Sequence, residues 1–260
     1  MHPPPHVLAA FGLETEPEPL PGGQGTAWRA GELVLKPVDT ALEELEWLGR
    51  LVDSLDPVGF RVPRLRCVHD GWACWDRLAG EHRERAWPEV IAVGERFHAA
   101  LADVPRPGFI ARRTNHWAVG DRVAWGELPL TRFEHVKHLP RLAAALRPVA
   151  TSGSQLVHGD LTGNVLFAAG VPPAVIDFSP YWRPPGYATA IVVGDALVWE
   201  GADETLLAEV AHVDDFPQFL LRALIFRAVV DSLFRAGRPH RQDAEDEFLP
   251  AVELACALAQ

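Results

Sequence analysis

The stretch LVHGDLTGNVLF, residues 156–167, holds a carboxylate and a carboxamide in one short loop, and a second carboxylate follows in AVIDF, residues 174–178. These residue types suit phosphoryl transfer. A hydroxyl that attacks a phosphoryl group must be positioned and must lose a proton, and a loop carboxylate such as Asp160 can take it. A neutral amide such as Asn164 can ligate magnesium without adding negative charge. Asp177 would complete an oxygen pair of the kind magnesium shares with substrate phosphates. Asp177 lies thirteen residues after Asn164. Val165–Phe167 and Ala174–Ile176 predict a hairpin closed through the turn around Gly170, which sets Asn164 and Asp177 side by side.

The elements that must position these groups read as follows. PLPGGQGTAWRAGELVLKPV, residues 19–38, predicts strands around turns, the last ending near Lys36. Residues 40–55 carry Leu42, Leu45, Leu48, Val52 and Leu55 at helical spacing, with Thr40 and Glu43 spaced as a capping box. FRVPRLRCV and WACWDRL predict two strands around the turn Asp70-Gly71. Trp87-Pro88 opens a helix whose apolar face is Val90, Ile91, Phe97 and Leu101. A Pro- and Arg-rich irregular stretch is expected over 104–127, and SPYWRPPGY is expected to be a loop. Further helices are predicted over 138–147, 203–212, 216–236 and 243–259. The expected fold class is α+β: a small antiparallel-sheet lobe over 1–79 and a mostly helical lobe over 80–260.

The 260 residues carry a net charge of −11, which disfavours nucleic acid as a partner. Three cysteines, Cys67, Cys74 and Cys256, show no paired spacing, so neither a disulfide framework nor a zinc site is expected. No basic segment precedes an apolar run at the start, and no apolar run is long enough to span a bilayer; the longest, Ala188 to Trp199, contains Asp195. A cytoplasmic protein with no membrane partner is the expectation. Only two lysines occur, Lys36 and Lys137, so a retained lysine can mark a place that needs a compact ammonium.

HGDLTGN followed by IDF resembles the catalytic loop and metal-binding aspartate of the aminoglycoside phosphotransferase and choline kinase family, small-molecule kinases with a protein-kinase-like two-lobed fold. Other landmarks follow in order: GGQG is similar to the family's Gly-rich phosphate loop, VLK to its lysine strand, GFRVPRL to the strand after the first helix, CWDRLAG to the adenine hinge, and VGERFHAAL to its Leu-His helix. The resemblance implies ATP and magnesium as cofactors and a small-molecule hydroxyl as acceptor, aminoglycoside-, sugar- or amino-alcohol-like. It implies Asp160 as catalytic base and Asn164 and Asp177 as metal ligands. Lys36 would hold the nucleotide phosphates, with Glu44 as its partner and Glu46 as the alternative. Gly22, Gly23 and Gly25 would approach the phosphates, and the backbone from Asp76 to Leu78 would meet adenine.

His158 is expected to hold the loop through backbone hydrogen bonds, and His98 to be a core or interlobe histidine. His116, His135 and His138 are read as solvent-facing or substrate-adjacent. Trp182 is a candidate substrate wall. Asp195 either braces the catalytic loop or starts a helix. The loop between Asp160 and Asn164 contains only Leu161, Thr162 and Gly163, one residue fewer than is usual in the family. That shortening supports an alternative reading, a catalytically impaired nucleotide-sensing module on the same fold.

Overall fold

The structure, a computed structural model, describes residues 1–21, 25–151, 153–236 and 246–260. Two units emerge, Met1–Arg83 with Gly163–Asp177, and Glu84–Thr162 with Phe178–Gln260. A single cut at residue 80 therefore differs from the observed division, because the stretch 163–177 groups with the first unit.

The first unit begins with a short helix, α1 (Pro5–Ala10), whose Pro at the first turn gives up an amide that the helix would not use. Strands β1 (Glu18–Pro19), β2 (Trp28–Ala30) and β3 (Leu33–Pro37) precede helix α2 (Leu42–Ser54), and β4 (Leu65–His69) and β5 (Trp72–Asp76) follow it. The sheet is antiparallel with order β1-β2-β3-β5-β4. Val7 of α1 is buried with Ala30, Leu35, Trp72 and Cys74 in one apolar cluster. The cap of α2 differs from expectation: its N-cap is Ala41, not Thr40, and makes no side-chain cap bond. Glu43 and Glu44 in the first turn complement the exposed amide dipoles instead. The FRVPRLRCV strand starts only at Leu65. Arg61, upstream of it, forms a parallel bridge with Ala174.

The second unit opens with α3 (Trp87–Ala100), α4 (Phe109–Arg112), α5 (His116–Ala124), α6 (Leu139–Ala145) and β6 (Gln155–His158). The stretch 104–127 is thus not irregular. Asn115 is an N-cap whose side chain accepts from the Ala118 amide, and α5 packs along a later helix. The chain next contributes the hairpin β7 (Val165–Leu166) and β8 (Ala174–Val175) to the first unit. In the second unit SPYWRPPGY is not a loop either. Its first half is β9 (Pro180–Arg183), paired antiparallel with β6, and its second half starts α7 (Pro185–Trp199). Helices α8 (Phe216–Arg235) and α9 (Leu249–Leu258) complete the unit. Part of the helix expected over 243–259 falls outside the described residues. Helix α7 is buried on every face, so it carries no 3.6-residue apolar period to betray it. Among the described residues no helix is long and apolar enough to cross a membrane.

Candidate functional site

In the first unit the hairpin forms as its pattern predicts. Val165 pairs with Val175 and Leu166 with Ala174, and the Ile176 amide donates to the Asn164 carbonyl at 3.0 Å. Gly170 makes the turn at φ +75°, a conformation that costs a residue with a Cβ. Asn164 and the segment ending in Asp177 are therefore held side by side. Arg61 fixes this hairpin to its unit: its Nε donates to the Pro172 carbonyl at 2.7 Å and its amide to the Pro173 carbonyl at 2.8 Å. Its Nη2 also donates to the Ala79 carbonyl at 2.8 Å, within the CWDRLAG segment expected to be the hinge.

Lys36, on β3, forms an ion pair with Asp177. The ammonium and the carboxylate come from positions 141 residues apart. Asp177 adopts φ +51°, a left-handed backbone that strains an ordinary residue and that tends to persist at functional positions. Glu44 is buried on α2, whereas Glu46 is exposed beside Arg50. At the expected hinge the Asp76 amide bonds the Arg64 carbonyl and the Arg77 amide the Glu32 carbonyl. Gly25 sits at φ +67°. Gly22 and Gly23 lie outside the described residues.

In the second unit β6 runs into His158 and Asp160. The Asp160 amide donates to Nδ1 of His158 at 3.1 Å, and the His158 amide donates to Nε2 of His98 at 3.0 Å. The His158 imidazole thus holds the loop by accepting from its backbone, as expected, and His98 is a buried core residue that supports His158 in turn. The loop leaves Asp160 toward Gly163, which turns at φ +76°.

The residue that sequence reading missed is Arg227, on α8. Its Nη2 donates to Oδ1 of Asp160 at 2.8 Å. The same guanidinium grips Asp195 on α7, from Nε at 2.7 Å and from Nη2 at 2.5 Å. Asp195 lies inside α7 and starts no helix; of its two readings, the brace is the one the geometry carries, through Arg227. Burial pushes the Asp195 carboxyl above the usual carboxylate range, and the guanidinium opposes that rise. Burial alone would lower the Arg227 pKa, but Asp195 and Asp160 more than offset it. Asp160 itself keeps 40 % of its side-chain surface exposed.

Asp160 opens onto a cavity of about 300 Å³. Trp117, Trp199 and Phe234 supply aromatic surface, and Asp195, Glu200 and Asp231 add carboxylates to that of Asp160; Arg227 is the basic residue of the lining. Trp182 does not line it. Nor is His138 solvent-facing: it is mostly buried, with Nε2 at 2.7 Å from the Asp246 carboxylate. His116 stacks edge-on against Phe234, 4.9 Å between ring centres, and His135 stacks on Phe133.

Burial, reinforced by the His158 side chain, lowers the His98 pKa to about 3. An unfolded histidine takes up its proton near pH 6.5. The unfolded state therefore binds more protons between pH 6.5 and 3, and stability falls as pH drops through that window. His98→Gln should remove this loss. The gap between wild type and variant in urea unfolding is expected to shrink by about 2–3 kcal/mol on going from pH 7.5 to 4.5.

The oxygens of Asn164 and Asp177 fit magnesium, a hard cation that keeps waters and binds phosphate oxygens alongside one or two protein ligands. Among the described residues no group of three or more His, Cys, Asp or Glu forms a metal cage.

No family model matches the chain, and no curated protein matches it. Solved structures do. The ADP-bound aminoglycoside phosphotransferase APH(2'')-Ib superposes with a TM-score of 0.58 at 15 % identity, covering 96 % of this chain and 95 % of that one. A choline/ethanolamine kinase family protein from Mesorhizobium loti gives 0.55 at 18 %, covering 98 % and 89 %. The ethanolamine kinase of Plasmodium vivax gives 0.52 at 11 %, covering 94 % and 80 %. At such identities the likeness is one of fold: this chain has the fold shared by aminoglycoside phosphotransferases and choline/ethanolamine kinases.

Proposed function

We propose that the protein is an ATP- and magnesium-dependent phosphotransferase that phosphorylates a hydroxyl of a small, amine-bearing molecule. The observation that carries this reading is the ion pair between Lys36 and Asp177. It sets the Lys36 ammonium beside the Asp177 carboxylate, with Asn164 immediately before β7, and a phosphate-binding lysine next to a metal-binding aspartate is the reading this supports. Bound magnesium and nucleotide supply charge neutralisation and the phosphoryl group. Asn164 and Asp177 hold the metal with their side-chain oxygens. Lys36 holds phosphate oxygens, and Glu44 is kept as the residue that orients it. The Leu78 backbone takes the adenine contact, because the amides of Asp76 and Arg77 are already bonded. Gly25 lets the backbone come close to phosphate.

Asp160 receives the hydrogen bond of the acceptor hydroxyl and takes its proton. Arg227 keeps the carboxylate aimed, and the His98–His158 chain keeps the loop in place. The aromatic and acidic lining of the adjoining cavity suits an ammonium group: aromatic faces attract cations and carboxylates pair with them. An amino alcohol or an aminosugar brings the cation that both features attract, whereas an uncharged sugar can only hydrogen-bond and stack there. The nearby solved structures named as aminoglycoside phosphotransferases and as ethanolamine kinases agree with such an acceptor.

A transfer screen over amino alcohols, aminoglycosides, sugars and nucleosides tests the reading, with the Asp160→Asn protein as control. Phosphorylation of an amine-bearing acceptor by wild type alone is the expected outcome. Nucleotide binding without transfer to any acceptor would favour the sensing module instead.

A further inference from the structure

The second unit contains another cavity, of about 290 Å³, which shares no lining residue with the one beside Asp160. Its charge runs against the grain of the protein. Four guanidinium groups, those of Arg106, Arg113, Arg122 and Arg183, face two carboxylates, Asp121 and Glu127, in a chain whose net charge is −11. Arg183 is committed to both carboxylates: Nε and Nη2 donate to Asp121 at 3.1 and 2.6 Å, and Nη1 to Glu127 at 2.7 Å. That pairing offsets part of the acidity, and the lining as a whole sets four guanidinium groups against two carboxylates. Arg122 is anchored by Nη2 on the Ala111 carbonyl at 2.6 Å, and Arg113 by Nη1 on the Pro180 carbonyl at 2.5 Å. Each anchor fixes a planar fork in place, so little side-chain entropy is left to lose when a ligand arrives. The remaining wall includes the half-buried Trp182 together with Ile110 and Leu128.

We propose that this cavity binds a small organic anion, a carboxylate or phosphate carried on an apolar body. Guanidinium forks match both oxyanions and give strong charge-assisted hydrogen bonds. A cation would meet a net positive lining, four arginines against two carboxylates. A bare inorganic ion would leave the tryptophan and the aliphatic wall unused. The volume is near the lower end for small-molecule sites, which limits the ligand to about the size of one ring with its charged group. Trp182, expected from the sequence to be a substrate wall, thus lines a pocket that is separate from Asp160.

The test is calorimetry on the full chain at low salt without nucleotide, with phenyl phosphate, benzoate and benzylamine as probes. At least one of the two anions is expected to bind with one site per chain, and which one binds tells phosphate from carboxylate. Arg122→Gln and Arg106→Gln should each weaken that binding about tenfold, the usual consequence of removing one charge-assisted hydrogen bond. Lys36→Met should leave it unchanged, which separates this cavity from the proposed nucleotide site. Any benzylamine binding should be insensitive to both arginine variants. Arg106 is exposed, so its substitution tests the idea without disturbing packing. The proposal is overturned if neither anion binds wild type, if both arginine variants bind as wild type does, or if Lys36→Met abolishes the binding.

Discussion

Replacing Asp160 by Asn is expected to lower turnover by about 10²–10⁴ while nucleotide affinity is unchanged. The amide keeps the shape of the carboxylate and still accepts from Nη2 of Arg227, so the loop stays where it is. On the proposed function, what is lost is the group that takes the proton of the acceptor hydroxyl. The local charge balance also tolerates the change, because Arg227 retains its two bonds to Asp195. Melting temperature should therefore stay close to wild type while the steady-state rate collapses. A rate near wild type would remove Asp160 from the chemistry. A large drop in melting temperature would assign it a structural role.

Arg227→Met is expected to cost about 3–5 kcal/mol of stability at neutral pH, the usual consequence of stripping one partner from a buried ion pair. Asp195, buried within α7, is then left without its counter-charge. Its folded-state pKa, already raised by burial, rises further. A carboxyl whose folded pKa lies above its unfolded value is best tolerated below the unfolded pKa and penalised as pH rises through the folded one. The difference between wild type and variant in urea unfolding should therefore narrow as pH is lowered toward 4. Asp195→Leu combined with Arg227→Met should restore much of the stability, since an apolar pair can replace a buried ion pair at little cost. Turnover should stay low in the double variant, because Asp160 has still lost the guanidinium that aims it. Full recovery of both properties would reduce Arg227 to a packing role.

Much of the first unit was legible because short alternating runs there are punctuated by turns at Gly31 and Gly71, and Leu45, Leu48 and Val52 mark the buried face of α2. The juxtaposition of Asn164 and Asp177 was legible for the same reason: two apolar runs around Gly170 pair as a hairpin. The second unit hid more. Helix α7 is apolar all round, so it reads as a run rather than a face. Helix α5 is short, and its cap Asn115 sits in a stretch dominated by arginine and proline. Arg227 was missed as one polar residue among many on a long helix. A signal did exist, since it stands among Ile225, Phe226, Val229 and Val230, where a charge needs a buried partner. Asp195 is the matching anomaly in its own apolar run. The left-handed backbone at Asp177 has no sequence mark, because it is imposed by the surrounding chain rather than by the residue.

The central claim is that Lys36, Asn164 and Asp177 form a site for a magnesium-bound nucleotide. Isothermal titration of ATP into the protein, with and without magnesium, tests it most directly, using Asp177→Ala alongside wild type. The account predicts that wild type binds ATP and that magnesium tightens the binding. It also predicts that Asp177→Ala loses the magnesium dependence. Wild-type protein that binds no ATP in the presence of magnesium, or an Asp177→Ala protein whose magnesium dependence is intact, would contradict it.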